Sequence, residues 1–162
     1  MAVIRLDKIT GGHLESIRHT AVLKNGHFVQ LGALISDETE LYSVEVATDA
    51  ADLKKEFLLH ATPEVMADPR FAGLKHFQVE AGDQGRAYHL VKGDVITLTA
   101  DLIDGTPVVD QFVVPQLNSL KLEASPDGLQ GSDETSLVFV VVRKTTLGYD
   151  GDDAYQLRVI KS

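Results

Sequence analysis

Turn-forming residues divide this sequence into short segments. Glycine or proline recurs along the whole chain, and no long stretch repeats its apolar residues with the period of a helix. Between these breaks apolar and polar residues alternate, as in residues 28–35 and 155–160. Alternation with period two places one face of a strand inward and the other toward solvent. The pattern predicts an all-β fold, a sandwich or barrel with at most one or two short helices.

Residues 86–101 show this pattern most clearly. Two alternating apolar runs flank the tripeptide Lys92-Gly93-Asp94. Gly93 can adopt a positive φ at no steric cost, and an aspartate tolerates turns because its carboxylate bonds nearby backbone. We therefore predict a strand, a tight turn and a strand that together form a central β-hairpin. A similar pattern at Asn25-Gly26 indicates that such a corner is used twice.

Other segments leave alternatives open. Residues 2–9 fit either an edge strand or an extended arm. Residues 48–60 fit a helix or a strand, and we favour a strand from Glu56 preceded by a loop or a single helical turn. We expect a surface excursion over residues 66–73 and a short helix over 74–79. The apolar run 137–142 suits a strand buried on both faces.

The length of 162 residues suits one β-rich domain spanning residues 1–162. A chain of this size can bury a sufficient core without a metal or disulfide. Two further boundaries are open at this stage. Residues 1–12 could form an extended N-terminal arm, and residues 102–162 could form a separate β subdomain.

Composition excludes several classes of protein. The chain has no cysteine, which rules out disulfides, zinc–thiolate sites and cysteine nucleophiles. Its net charge of −9 argues against a nucleic-acid partner, since binding phosphates needs clustered Lys and Arg. The first residues lack the apolar core of a signal peptide, and no run is long enough to span a bilayer. We expect a soluble protein with no membrane partner.

The sequence offers no clear catalytic or metal-binding pattern. The six histidines lack the close spacing of helical zinc motifs: they are His13, His19, His27, His60, His76 and His89. The acidic run Asp150-Gly151-Asp152-Asp153 lacks the ligand spacing of an EF-hand loop. No serine lies in a nucleophile elbow. We therefore predict no enzyme activity, no cofactor and no catalytic, cofactor-binding or metal-ligating residue.

Four segments in the middle of the chain carry a resemblance to a known class of protein. They are Glu56-Phe-Leu-Leu-His-Ala-Thr-Pro-Glu-Val-Met66, Glu80-Ala-Gly82, Arg86-Ala-Tyr-His-Leu90 and Lys92-Gly-Asp-Val-Ile-Thr97. This part of the chain, roughly residues 26–100, resembles the small accessory head proteins of tailed bacteriophages, which decorate or cement the capsid. The part after residue 102 does not share the resemblance.

The resemblance implies a non-enzymatic structural protein of the virion. Made in the host cytoplasm, it would bind the major capsid protein, and also further copies of itself, on the outer surface of the shell and stabilise it. Edge strands and loops are where a β-domain can offer such contacts. We also expect that residues 1–8 can be deleted without loss of the fold. The candidate capsid-contact residues are Val3, Ile4, Arg5, Leu6, Arg86, Tyr88 and Lys92.

Two alternatives remain at this stage. One is another β-protein of the virion, a tail-tube or neck component that forms rings. The other is a small ligand- or metal-binding β-barrel protein that uses the histidines. For the group around Arg86, Tyr88 and Lys92, ordinary solvation of a charged strand edge is the favoured explanation over a contact patch.

Overall fold

The structure is a computed structural model that describes residues 3–64, 77–125, 135–148 and 150–162. Strands make up 51% of the described residues, which contain no helix of seven or more residues. In the described part of the chain, the 3₁₀ turns Asp52–Lys54 and Ala100–Leu102 interrupt the strands. The prediction of an all-β fold is therefore confirmed.

Fourteen strands lie within the described residues. They are β1 Ile4–Lys8, β2 Leu14–Arg18, β3 Leu23–Lys24, β4 Phe28–Leu34, β5 Leu41–Glu45, β6 Leu58–His60, β7 Gln78–Val79, β8 Gln84–His89, β9 Val95–Thr99, β10 Ile103–Asp104, β11 Phe112–Pro115, β12 Leu122–Ser125, β13 Val138–Leu147 and β14 Asp152–Lys161.

The strands form a large sheet, a barrel and a two-stranded ribbon. The large sheet has the order β1-β9-β14-β13-β11-β12-β10, and the closed barrel has the order β2-β5-β4-β6-β8. Strands β3 and β7 make the ribbon. The chain thus begins in the large sheet, leaves it to build the barrel, and returns to it at β9. Most neighbours are antiparallel, but β2 with β5 and β10 with β12 are parallel.

The barrel wall that faces the large sheet is buried on both sides. Leu58 belongs to the core inside the barrel, whereas the next residue, Leu59, belongs to the main core. On β4, Val29 likewise belongs to the core inside the barrel and Phe28 to the main core. Phe28 packs edge-on against Phe139 of β13, with 5.5 Å between ring centroids. This explains why residues around β6 are continuously apolar instead of alternating.

The predicted central hairpin is wrong, although its turn is present. Gly93 has a φ of +97°, but β8 lies in the barrel and β9 in the large sheet, so the two strands do not pair. The turn is held by other strands: the Gly93 N–H donates to the Val159 carbonyl at 2.9 Å. The buried Asp94 carboxylate accepts N–H groups from Val91 at 3.0 Å and Thr10 at 2.9 Å. These bonds make residues 92–94 the corner at which the chain passes between sheets.

Replacing Gly93 with alanine should lower the free energy of unfolding by about 1–2 kcal/mol, because an L-residue is strained at positive φ. A Cβ added there would meet no atom within 4 Å, so strain is the only cost. Urea unfolding of the Gly93→Ala variant checks this. A midpoint equal to that of the wild type would contradict the observed backbone conformation.

Several other segments resolve the alternatives left by the sequence. The N-terminal segment is an edge strand, since β1 pairs with β9 alone among the described strands. The favoured interpretation of residues 48–60 is confirmed by the 3₁₀ turn Asp52–Lys54 followed by β6. The helix predicted over 74–79 is wrong at Gln78–Val79, which forms β7 because it pairs with β3. Residues 74–76 and the excursion at 66–73 lie outside the described residues.

The run 137–142 is a buried strand only in part. Val138, Phe139 and Val141 are fully buried, but the side of β13 that bears Val142 is open to solvent, and Val142 is 43% exposed. The strands after residue 102 also do not form a sheet of their own, because β14 pairs with β9, which pairs with β1. A boundary at residue 102 therefore does not coincide with a boundary between sheets.

Candidate functional site

Four ionisable side chains gather at one mouth of the barrel: His13, Glu15, Glu56 and His89. Pairing of β2 with β8 sets Glu15 opposite Ala87, and pairing of β6 with β8 sets Leu58 opposite His89. Because directly opposed residues share a face of the sheet, Glu15 and His89 lie on the face that carries the barrel's apolar interior. We call these four residues the mouth cluster.

His89 is the centre of the mouth cluster. Its Nδ1 lies 2.6 Å from Glu56 Oε1, and its Nε2 lies 3.2 Å from Glu15 Oε1. The same Glu15 oxygen lies 3.4 Å from His13 Nε2. The His13 and His89 rings stack at 4.3 Å between centroids, and the His89 backbone N–H donates to the His13 carbonyl at 3.0 Å.

The two carboxylates control the charge of His89. Burial acts to lower the pKa of His89, but its hydrogen bonds and charge interactions with Glu56 and Glu15 outweigh burial and raise the pKa above 6.5. The two glutamates therefore favour positive charge between them. Solvent reaches this position, because the His13 side chain is 68% exposed while Glu15 and His89 are 23% and 18% exposed.

The donor set of the mouth cluster suits a metal ion. His13, Glu15 and His89 each present one ligand atom, and these atoms all lie within 4.8 Å of one another. Sequence analysis had found no metal ligands, because Glu15 and His89 are 74 positions apart. Only the pairing of β2 with β8 brings them together, and no local spacing in the sequence signals that pairing.

A second group of polar side chains lies at the other end of the barrel interior and is structural. The fully buried His60 donates from Nδ1 to the Lys24 carbonyl at 2.9 Å, and Thr62 Oγ1 lies 3.0 Å from its Nε2. Thr62 Oγ1 in turn accepts the Arg86 N–H at 2.8 Å. When His60 is neutral, each of these polar atoms has a hydrogen-bond partner. The network therefore stabilises the barrel wall and leaves none of these atoms free to bind a metal ion.

The predicted capsid-contact residues fall in three parts of the fold. Val3 is buried and Ile4 half-buried against the main core, whereas Arg5 and Leu6 are exposed on β1. Arg86 and Tyr88 lie on β8 in the barrel, where Arg86 is exposed and Tyr88 half-buried. Lys92 is exposed at the corner between the sheets. The seven residues therefore do not form one contact patch. The side chain of Val3 is buried away from solvent.

Strand β1 is held firmly on the sheet by Asp7. The Asp7 carboxylate accepts hydrogen bonds from Thr97 Oγ1 on β9, from Gln156 Nε2 on β14 at 3.1 Å and from Arg5 Nε. The pairing shifts register between Leu6 and Lys8, which marks a β-bulge at this carboxylate. Burial acts to raise the pKa of Asp7, yet the three hydrogen bonds lower it overall. The other edge of β1 has no neighbouring strand among the described residues.

Comparisons with known proteins leave the family open. No protein-family model matches the chain, and neither the curated proteins nor the solved structures include a significant match. Within the described ranges, no helix combines the length and the apolar character needed to cross a lipid bilayer.

Proposed function

We propose that this chain is a non-enzymatic structural protein of a bacteriophage virion that binds the outer surface of the capsid lattice and stabilises it. The partner class comes from the resemblance over residues 26–100. The outer edge of β1 in the large sheet pairs with no other described strand, and this observation supports β1 as the contact surface. Its partners are the major capsid protein and neighbouring copies of itself.

An open strand edge is a natural site for a partner. Its unpaired N–H and C=O groups can accept a strand from another chain, and the side chains beside them give specificity. On β1 the backbone is rigid because Asp7 ties it to β9 and β14. Leu6, 37% exposed, supplies an apolar side chain next to that edge. Preformed backbone lowers the entropic cost of binding.

Weak contacts of this kind are sufficient on a lattice. A protein that binds only the assembled shell stabilises the shell by mass action, and contacts repeated between neighbours add avidity. The net charge of −9 also fits a position on the outside of the shell, because a negatively charged protein is not attracted to the packaged DNA. The proposal therefore needs no catalytic group and no cofactor.

Deleting residues 1–8 is not a clean test of this proposal. Val3 is buried, Ile4 packs against the main core, and β1 covers one edge of β9, whose Ile96 and Leu98 are fully buried. The expectation that the fold survives this deletion is therefore not supported, because the deletion would uncover a core strand. A point substitution of one exposed residue on β1, Leu6, is the better test because it leaves the strand in place.

The Leu6→Asp variant should bind capsids at least about tenfold more weakly than the wild type, because an apolar contact would become an unpaired carboxylate in the interface. Capsids that lack the protein are mixed with it and sedimented, and the bound fraction is measured. Leu34→Asp is the matched control, since Leu34 is 47% exposed at the end of β4 in the barrel. Circular dichroism confirms that both variants fold.

Each outcome of this experiment is informative. Wild-type protein that stays in the supernatant contradicts capsid binding altogether. Wild-type binding with equal binding of Leu6→Asp contradicts the β1 contact and leaves another surface responsible. Co-purification with tails instead of capsids would favour the tail-tube or neck alternative.

The mouth cluster favours a second candidate function, a metal-binding β-barrel protein. Its support is the convergence of His13, Glu15 and His89. Metal binding and capsid binding use different surfaces of the fold, so the two are independent.

A further inference from the structure

We propose that His13, Glu15 and His89 bind one divalent transition-metal ion, with zinc as the best fit, at the mouth of the barrel. This site is independent of the proposed capsid binding. It rests on three observations: the distances between the donor atoms, the hydrogen bond that orients His89, and the accessibility of the mouth.

The donor atoms are spaced as a tetrahedral ion requires. Zinc lies about 2.0–2.2 Å from nitrogen and oxygen ligands, so neighbouring ligand atoms are about 3.3–3.5 Å apart in a tetrahedral site. Glu15 Oε1 lies 3.4 Å from His13 Nε2 and 3.2 Å from His89 Nε2. Two of the three donor separations thus fit before any side chain moves.

Glu56 provides the orienting contact that a metal-binding histidine needs. A histidine that ligates a metal usually donates its other ring N–H to a carboxylate or carbonyl, which fixes its tautomer and direction. Here Glu56 Oε1 lies 2.6 Å from His89 Nδ1. A proton held on Nδ1 leaves the lone pair of the neutral ring on Nε2, the atom next to Glu15.

His13 must rotate to complete the site. Its ring stacks on His89 with an angle of 29° between the planes, an arrangement in which the two rings face each other instead of a shared ion. His13 is free to turn, since its side chain is 68% exposed and it follows Gly11 and Gly12. Glu15 and His89, held on paired strands β2 and β8, form the rigid part of the site.

The donor chemistry selects the class of ion. Two imidazole nitrogens and one carboxylate suit zinc and its neighbours in the transition series, whereas calcium and magnesium prefer sites made of oxygen alone. Three protein ligands leave a fourth position for water or a partner's side chain. Bound metal would add a link between the start of β2 and the end of β8, two strands that already pair in the closed barrel.

Titration of the metal-free full-length protein with zinc tests the proposal, with calorimetry for stoichiometry and cobalt absorption for geometry. We expect one equivalent of zinc and the visible spectrum of tetrahedral cobalt. His13→Ala and Glu15→Gln should each weaken binding at least about tenfold, and Glu56→Gln about 10–100-fold without loss of the cobalt spectrum. His19→Ala, outside the cluster, is the control and should bind as the wild type does.

His13→Ala is the decisive variant, because an exposed side chain can be removed without harm to the fold. Absence of saturable zinc binding by the wild type would overturn the proposal. Zinc binding that is unchanged in His13→Ala and Glu15→Gln would overturn it as well, since the ion would then lie elsewhere. Neither result would bear on capsid binding.

Discussion

The Gly26→Ala variant is expected to lose about 2–5 kcal/mol of stability, the sum of two separate costs. Gly26 has a φ of +95°, where an L-residue is strained by about 1–2 kcal/mol. An added Cβ would also overlap Leu102 Cδ1 and lie 3.3 Å from Leu98 Cδ2. Both leucines are buried in the main core and have little room to move, so overpacking adds about 1–3 kcal/mol. Urea unfolding measures the loss.

Gly93→Ala separates the two costs. Gly93 has nearly the same φ, +97°, but open space where its Cβ would lie. The difference between the two variants therefore isolates the overpacking at the Gly26 corner. Equal losses in the two variants would contradict the packing of Leu102 and Leu98 against that corner.

The protein should lose stability as the pH falls from 6.5 toward 4, and His27 should be the main cause. Burial lowers the pKa of His27 to about 4, with smaller contributions from the charges of His60 and Lys24. In the unfolded chain this histidine takes up its proton near pH 6.5, so the unfolded state binds more protons below that pH. The stability that the fold gains from keeping His27 neutral is therefore fully present above pH 6.5. Between pH 6.5 and 5 the loss from His27 is about 2 kcal/mol.

Three other histidines act in the same pH range: burial lowers the pKa of His19, and His60 and His89 act with opposite signs. Burial also lowers the pKa of His60, which adds to the loss on acidification. The pKa of His89 is raised despite its burial, because Glu56 and Glu15 favour its proton, so its contribution is present at low pH and is lost as pH rises through its folded-state pKa.

The His27→Asn variant isolates the effect of His27. An asparagine oxygen can replace His27 Nδ1 as the acceptor of the Lys24 N–H, a bond of 3.3 Å, but asparagine does not titrate. The change in unfolding free energy between pH 7 and pH 5 should therefore be about 2 kcal/mol smaller in this variant. An identical pH dependence in wild type and variant would show that His27 is not held neutral by burial.

The fold class could be predicted from the sequence because alternation and turn residues are local signals. The positive φ of Gly93 was predicted for the same reason. The predicted hairpin at Gly93 does not form because of contacts with distant residues. Val159 and Thr10 make hydrogen bonds to the corner, and β9 pairs in another sheet. The position of β1 at the edge of that sheet depends equally on pairing between distant segments.

The mouth cluster shows the same limit for sites. His13 and His89 have no spacing in the sequence that relates them, and they meet only because β2 lies beside β8 in the barrel. The apolar run near Leu58 and Leu59 favoured a strand, but it gave no sign that the two faces of this strand belong to different cores. Local chemistry can be inferred from one sequence, whereas convergence of distant residues requires the topology.

Imaging of virions that contain this chain tests the central claim most directly. A reconstruction of the particle should show additional β-rich density on the outer face of the capsid, repeated with the lattice, with the β1 edge against a capsid subunit. The density should be absent from particles made without the gene. Density confined to the tail or neck, or particles whose capsid surface is the same with and without the protein, would contradict the claim.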